Sequence, residues 1–156
     1  MATLPKRFGI DLRLLRNLFS QGDRHRGSDL FTRTRAETRK VDLQPLEGNE
    51  NLQQALLLRF LTPVGELAQL GHPDYGSRLS ELIGELNNET NRNRAKMYVL
   101  QSLAGEPRVK EILALTVVQN QTIRGQIDIS VSLKAIDSDT PLNLVFPFFL
   151  QGGSQP

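Results

Sequence analysis

From residue 79 the apolar positions recur as Leu79, Leu82, Ile83 and Leu86, the i, i+3, i+4, i+7 spacing of one helical face. The segment "SRLSELIGEL" is therefore expected to form an amphipathic helix. Upstream, "NLQQALLLRF" places Leu52, Leu56 and Phe60 on one face, with Asn51 at the N-cap position and Gln54 three residues on, a pairing able to satisfy the free amides of a first turn. A third helix is expected after a break at the polar "NNETNRN", with Met97, Leu100, Leu103 and Ala104 facing inward and Gly105 and Pro107 ending it. Glycine accepts the left-handed terminal conformation, and proline cannot continue a helix.

Past Pro107 the apolar period changes from 3.6 to 2. "EILALTVVQ" is apolar on both faces, as a strand in the middle of a covered sheet is. "GQIDISVSLKAI" alternates, turning Ile127, Ile129, Val131 and Leu133 to a core and Asp128, Ser130, Ser132 and Lys134 away from it. After the turn-forming "DSDTP", "LNLVFPFFL" sends Leu142, Leu144, Phe146, Phe148 and Leu150 to one face. Pro147 inside that run has no N–H for a ladder, which assigns the strand to a sheet edge. The expected fold is α+β, with N-terminal helices packed on a C-terminal antiparallel meander of three strands. No internal repeat interrupts this order.

Ahead of these elements, "GIDLRLLRNLF" spaces Leu12, Leu15, Leu18 and Phe19 helically around Arg13 and Arg16, which predicts a short amphipathic helix. The polar, Gly-punctuated "SQGDRHRGSD" then reads as a linker. Three regions follow: a basic arm over 1–40, a domain over 41–151, and a loose tail over 152–156.

Charge sharpens that division. Residues 1–40 hold ten Lys or Arg against four Asp or Glu, leaving nine against thirteen in the remainder of the 156-residue chain. A basic arm can meet nucleic acid, an anionic membrane or an acidic protein surface, or stay a solvated tail. The chain has no cysteine, so disulfides, thiolate nucleophiles and Cys-bound zinc are excluded. Its opening "MATLPKRFGIDLRLL" is too short and too charged for a secretory signal core, and no apolar run approaches the roughly 18–20 residues of a spanning helix. The protein is read as soluble, without classical export and without membrane insertion.

Catalytic constellations are missing. There is no phosphate loop of the G-x-x-x-x-G-K-[ST] kind, no G-x-S-x-G elbow and no H-E-x-x-H helix. His25 falls in the linker and His72 in a turn-like "LGHPDYG", so no metal site is expected from them. Asp137 and Asp139 match the first half of a calcium loop but lack its Gly and closing Glu. Glu106 with Glu66 or Glu111 would be the carboxylates for glycoside hydrolysis, yet nothing in the sequence sets a pair across a cleft. The chain has no Trp and only Tyr75 and Tyr98 to stack on sugar rings. No catalytic residue, metal or cofactor is assigned. Glu106 and Arg108 flank Pro107 at a helix-to-strand junction, where they could pair internally or reach a partner from a rigid corner.

The combination of "LLLRFLTPVGEL", "DYGSRL" and "GEPRV" resembles the GPW-type phage baseplate family, an older "lysozyme-like" family of sheath initiators found in contractile tails, type VI secretion baseplates and extracellular contractile injection systems. The matching motif residues are Thr62, Gly65, Glu66, Tyr75, Gly76, Glu106, Pro107 and Arg108, and the resemblance runs from Asn49 to Leu150. It implies a non-enzymatic, multi-copy component of a six-fold baseplate around the tail tube, assembled in the cytoplasm into a phage-tail-like particle. The implied partners are the sheath protein, baseplate wedge proteins and tube or hub proteins, with no nucleic acid. In such proteins the C-terminal sheet imitates the sheath's handshake domain, and sheath arms add strands to it. That makes Ile127, Ile129, Val131, Leu142, Leu144 and Phe146 the sheath-binding positions, with Glu106, Pro107 and Arg108 as the wedge contact. Two alternatives accompany the resemblance: a peptidoglycan-cleaving enzyme, from the older name, and a small regulatory binding module of the same fold. The long basic arm departs from the family and is expected to bind another baseplate or tube component.

Overall fold

A computed structural model describes residues 8–16, 30–136 and 138–151. Leu18, Phe19, the whole linker with His25, Asp137 and the tail at 152–156 lie outside the described residues. The elements in chain order are β1 (Ile10–Leu12), β2 (Thr32–Thr34), β3 (Val41–Leu43), β4 (Pro45–Glu47), α1 (Gly48–Leu61), α2 (Glu89–Ala104), β5 (Val109–Gln119), β6 (Gln126–Ala135) and β7 (Leu142–Phe149). The architecture is α+β: β5, β6 and β7 form an antiparallel meander in that order, with α2 packed against β5 and α1 against β7.

The alternation in β6 sets the core. Ile127, Ile129 and Leu133 are fully buried and Val131 nearly so, beside Leu144 and Phe146 of β7 and Leu52, Leu56, Leu57 and Phe60 of α1. The Phe60 and Phe146 rings stack with centroids 5.0 Å apart and planes 12° from parallel, joining helix to sheet. Each such side chain taken out of water stabilises the fold by about 1.5–3 kcal/mol before entropy is counted.

Several sequence expectations are corrected. "EILALTVVQ" is an edge strand, not the central one; β6 is central, with β5 and β7 on either side. Register shifts insert Lys110 and Leu113 as extra residues in β5, and Leu113 and Val118 are exposed. The expected helix over 79–86 is a single 3-10 turn at Leu79–Leu82. Gly84, at φ +93°, takes a backbone that a right-handed helix cannot use. Leu79 and Leu82 are buried, whereas Ile83 and Leu86 are exposed.

Only Asn87 and Asn88 of the polar "NNETNRN" lie in the break; Asn88 caps α2, accepting the Asn91 N–H at 2.8 Å, and the rest of the segment is helix. Of the expected inner face only Leu103 is buried. Met97 and Leu100 are exposed, and Asn91, Ala95, Tyr98, Val99 and Ser102 face inward instead. Polar members of that face have partners, so they bury without a large penalty: Asn91 Nδ2 donates to Leu86 O at 2.9 Å and Ser102 Oγ to Gly76 O at 2.9 Å.

At the N-terminal end, residues 10–12 are a strand paired with β4 rather than a helix. Asn51 does not cap α1, which starts at Gly48. Asn51 and Gln54 grip the incoming chain: Asn51 Nδ2 donates to Phe8 O at 2.7 Å, Gln54 Nε2 to Leu12 O at 2.8 Å, and Gln54 Oε1 accepts the Leu14 N–H at 2.8 Å. Phe8 is 1% exposed within the core. Phe8 and residues 10–12 thus pack on the body.

Candidate functional site

Glu106 begins the turn between α2 and β5. Its N–H donates to Leu103 O at 3.0 Å and its carbonyl accepts the Val109 N–H at 3.1 Å, while the Arg108 carbonyl accepts the Ile136 N–H at 3.0 Å. This tight corner leaves Pro107 exposed and folds Arg108 back onto Glu106. Arg108 Nε donates to Oε1 at 2.6 Å and Nη2 to Oε2 at 3.1 Å. From the last turn of α1, Arg59 Nη2 donates to the same Oε2 at 3.2 Å. The Glu106 side chain is 4% exposed and that of Arg59 12%. Arg59 also lies over the Tyr75 ring, 4.6 Å from its centroid, a cation–π contact.

Burial pushes the Glu106 carboxyl up, but the hydrogen bonds and charge of Arg108, with the charge of Arg59, outweigh it and hold the group below the ordinary carboxylate range. The hydrogen bond to Glu106 raises Arg108. Burial raises the Tyr75 hydroxyl, opposed by the Arg59 charge. A carboxylate kept ionised by two guanidiniums anchors structure; it does not meet the requirement of a general acid, which must carry a proton at working pH.

A second crossing supports this corner. Thr62 ends α1 with its Oγ1 and N–H both on Leu58 O, at 2.8 and 3.0 Å. Its carbonyl accepts the Ser77 N–H at 2.8 Å, and Ser77 O accepts the Val64 N–H at 3.0 Å. Gly76 has φ +114°, and a Cβ there would stand 2.5 Å from Thr62 O, closer than any side chain tolerates. Ser77 Oγ donates to Phe60 O at 2.8 Å. Tyr75, Gly76 and Ser77 are thereby threaded between the end of α1 and α2.

Thr62, Tyr75, Gly76, Glu106 and Arg108 therefore converge. Gly65 and Glu66 do not join them; they sit in an exposed turn. Arg59, Ser77 and Ser102 were missed. The signal for Arg59 was available: one charge within "ALLLRF", a run whose burial demands a partner for any ion. Alongside the cluster lies an open cleft of about 200 Å³ lined by Arg59, Asp74, Arg78, Tyr98 and Gln101, among others. Arg78 is paired with Glu81 at 2.8 Å and lies 4.7 Å from the centre of the Tyr98 ring. Among the described residues no three His, Cys, Asp or Glu are grouped as metal ligands, and no helix is long and apolar enough to cross a membrane.

The sheet offers two edges of different quality. β6 is hydrogen-bonded to neighbours on both sides, so Ile127, Ile129 and Val131 cannot form a free edge; their place is the core. β5 has one outer edge, interrupted by its two extra residues. β7 keeps an unbroken register with β6 from Leu142 to Phe149. Gln53 Nε2 donates to Asn143 O at 3.4 Å, so the odd-numbered residues of β7 turn their backbone groups away from β6. Pro147 falls in that set and costs the β6–β7 ladder no donor. Leu142, Leu144 and Phe146 contribute their backbones to β6 and their side chains to the core.

No family model matches the chain, and no curated protein matches it. Among solved structures, its fold is similar to the 1.44 Å crystal structure of a Geobacter sulfurreducens protein carrying the provisional name tail lysozyme. The TM-score is 0.54 at 22% identity, over 65% of this chain and 89% of that one. At that identity the likeness is one of fold.

Proposed function

We propose that this protein is a structural component of a contractile-tail or injection-system baseplate, of the GPW type, that joins the inner baseplate to the first sheath ring. On this reading it has no enzymatic activity, and it starts sheath assembly by accepting an added strand along β7. The carrying observation is the contrast between the two sheet edges. Bulges are a common device for blunting an edge against pairing, and β5 has two where β7 has none. On that edge the Asn143 carbonyl is taken by Gln53 and Pro147 has no N–H, so an incoming strand would take its affinity from backbone bonds to the Asn143 N–H and to Val145. A fold shared with a tail-named protein supports the same role.

Glu106, with its carboxylate occupied by Arg59 and Arg108, serves the corner from inside. A wedge protein would meet exposed Pro107 and the outer side of Arg108.

The test uses Val145→Pro. This residue is 44% exposed and its N–H points outward, so proline removes one docking donor and leaves the β6–β7 ladder intact. Sheath protein mixed with a baseplate containing the wild type should form ordered rings, and the variant should not. Rings that form equally well on Val145→Pro would reject strand addition at β7. Rings that form without this protein would reject the initiator role and favour a regulatory binding module.

A further inference from the structure

Two positions on the open edge of β7 differ from plain backbone. Leu150 donates its N–H to Gly125 O at 2.8 Å, so even-numbered residues here face β6, and Asn143, Val145 and Pro147 face outward. Asn143 offers its N–H, but its carbonyl accepts Gln53 Nε2 at 3.4 Å. Gln53 reaches it from α1 and is 4% exposed. Pro147 offers only a carbonyl, and its ring stands where an N–H would be. Of the three, Val145 alone keeps both groups for a neighbour.

A bare edge is a template for any other bare edge, including the same strand of a second copy. Two copies of β7 can pair about a two-fold axis only with their outward-facing residues opposite one another. The two registers that overlap Leu142–Phe149 most fully place Pro147 of the second copy opposite either Asn143 or Val145. In the first, the second copy's proline ring meets the carbonyl that Gln53 holds and brings no N–H to replace the amide. In the second, the Val145 carbonyl is covered without a donor, and a covered acceptor loses its hydrogen bond to water. Symmetry repeats the mismatch, so a self-pair carries it twice. A strand of another protein with an N–H at that position carries no such mismatch of its own.

We propose that Gln53 and Pro147 make the β7 edge selective, barring a second copy of this chain and admitting a partner strand whose N–H takes the Asn143 carbonyl over from Gln53. This rests on strand addition at β7 and names the residues that choose the strand.

Sedimentation of the full-length protein tests this without any sheath protein, so its failure and a failure of ring formation are separate results. The wild type and Gln53→Met should not pair through β7, and adding Val145→Pro should leave the sedimentation of each unchanged. Pro147→Val restores an N–H and should form a dimer, which adding Val145→Pro should abolish. Combining Gln53→Met with Pro147→Val should tighten that dimer about tenfold, because the incoming N–H no longer displaces an amide in either copy. Should Pro147→Val misfold by circular dichroism, Pro147→Ala restores the same N–H and takes its place. A Pro147→Val protein that stays monomeric, a dimer of it that survives Val145→Pro, or a wild-type dimer that Val145→Pro abolishes overturns the proposal. A dimer no tighter with Gln53→Met overturns it as well, since Gln53 would then hold nothing that a strand must displace.

Discussion

Arg108 Nε reaches Glu106 Oε1 at 2.6 Å across a single intervening proline. The two residues close a small ring at the end of α2, and Arg59 completes it from a helix distant in sequence. One buried carboxylate thus fixes the relative positions of α1, α2 and the start of β5.

Replacing Glu106 by Gln would leave Arg59 buried without its counter-ion. The expected cost is about 3 kcal/mol in urea unfolding at neutral pH, since breaking a buried pair strands the remaining charge. The Glu106 carboxyl is depressed in the folded state, so its contribution is present above the unfolded carboxylate value of about 4.3 and is lost as pH falls through the lower folded one. The gap between wild type and variant should therefore close in acid. A constant gap down to pH 2 would contradict the ion-pair account.

Gly76→Ala should cost about 3 kcal/mol, because φ +114° and the Thr62 carbonyl 2.5 Å from the new methyl act together. Gly71→Ala shares a positive φ, +87°, but has open space around it, and should cost about 1 kcal/mol. Denaturation midpoints of the two variants would separate close approach from backbone conformation.

The stacked rings of Phe60 and Phe146 should show coupling in a double-mutant cycle with leucine at each position. About 1 kcal/mol of interaction beyond the lost area is expected for such a pair. Additive effects would mean that the rings only fill volume.

Phe8→Ala should destabilise the whole domain by about 3 kcal/mol, as a truncation in a packed core does. Phe8 is 1% exposed and anchored through its carbonyl to Asn51. An unchanged unfolding midpoint would return this residue to a detachable arm.

Incubated with purified peptidoglycan, the protein is expected to release no fragments at any pH from 4 to 8, as a scaffold would. Turnover that disappears in Glu106→Gln would reinstate the hydrolase reading.

Local rules carried much of the fold. The period-2 alternation of β6 and the missing N–H of Pro147 are properties of a few consecutive residues, so the central core face and the edge status of β7 were legible without a structure. The motif also named Thr62, Tyr75, Gly76, Glu106 and Arg108, which the fold brings together. Their contacts were not legible: Arg59 and Glu106 are 47 residues apart, and no local pattern states which buried charge meets which.

Strand order was likewise undetermined, because apolar residues on both faces of β5 do not require a neighbour on each side: Leu113 and Val118 are exposed on an edge strand. Leu12 and Leu15 are spaced as in a helix, yet β4 and the Gln54 side chain draw that segment into extended pairing. On α2, Asn91 and Ser102 belong to the buried face because their hydrogen bonds end on carbonyls outside the helix, at Leu86 and Gly76. The amino-acid sequence determined where hydrophobic faces and chain breaks fall, since these depend on neighbours along the chain. Tertiary structure decided which charges pair, which polar groups are buried and which edge stays open, since each depends on partners that only folding brings within a few ångströms.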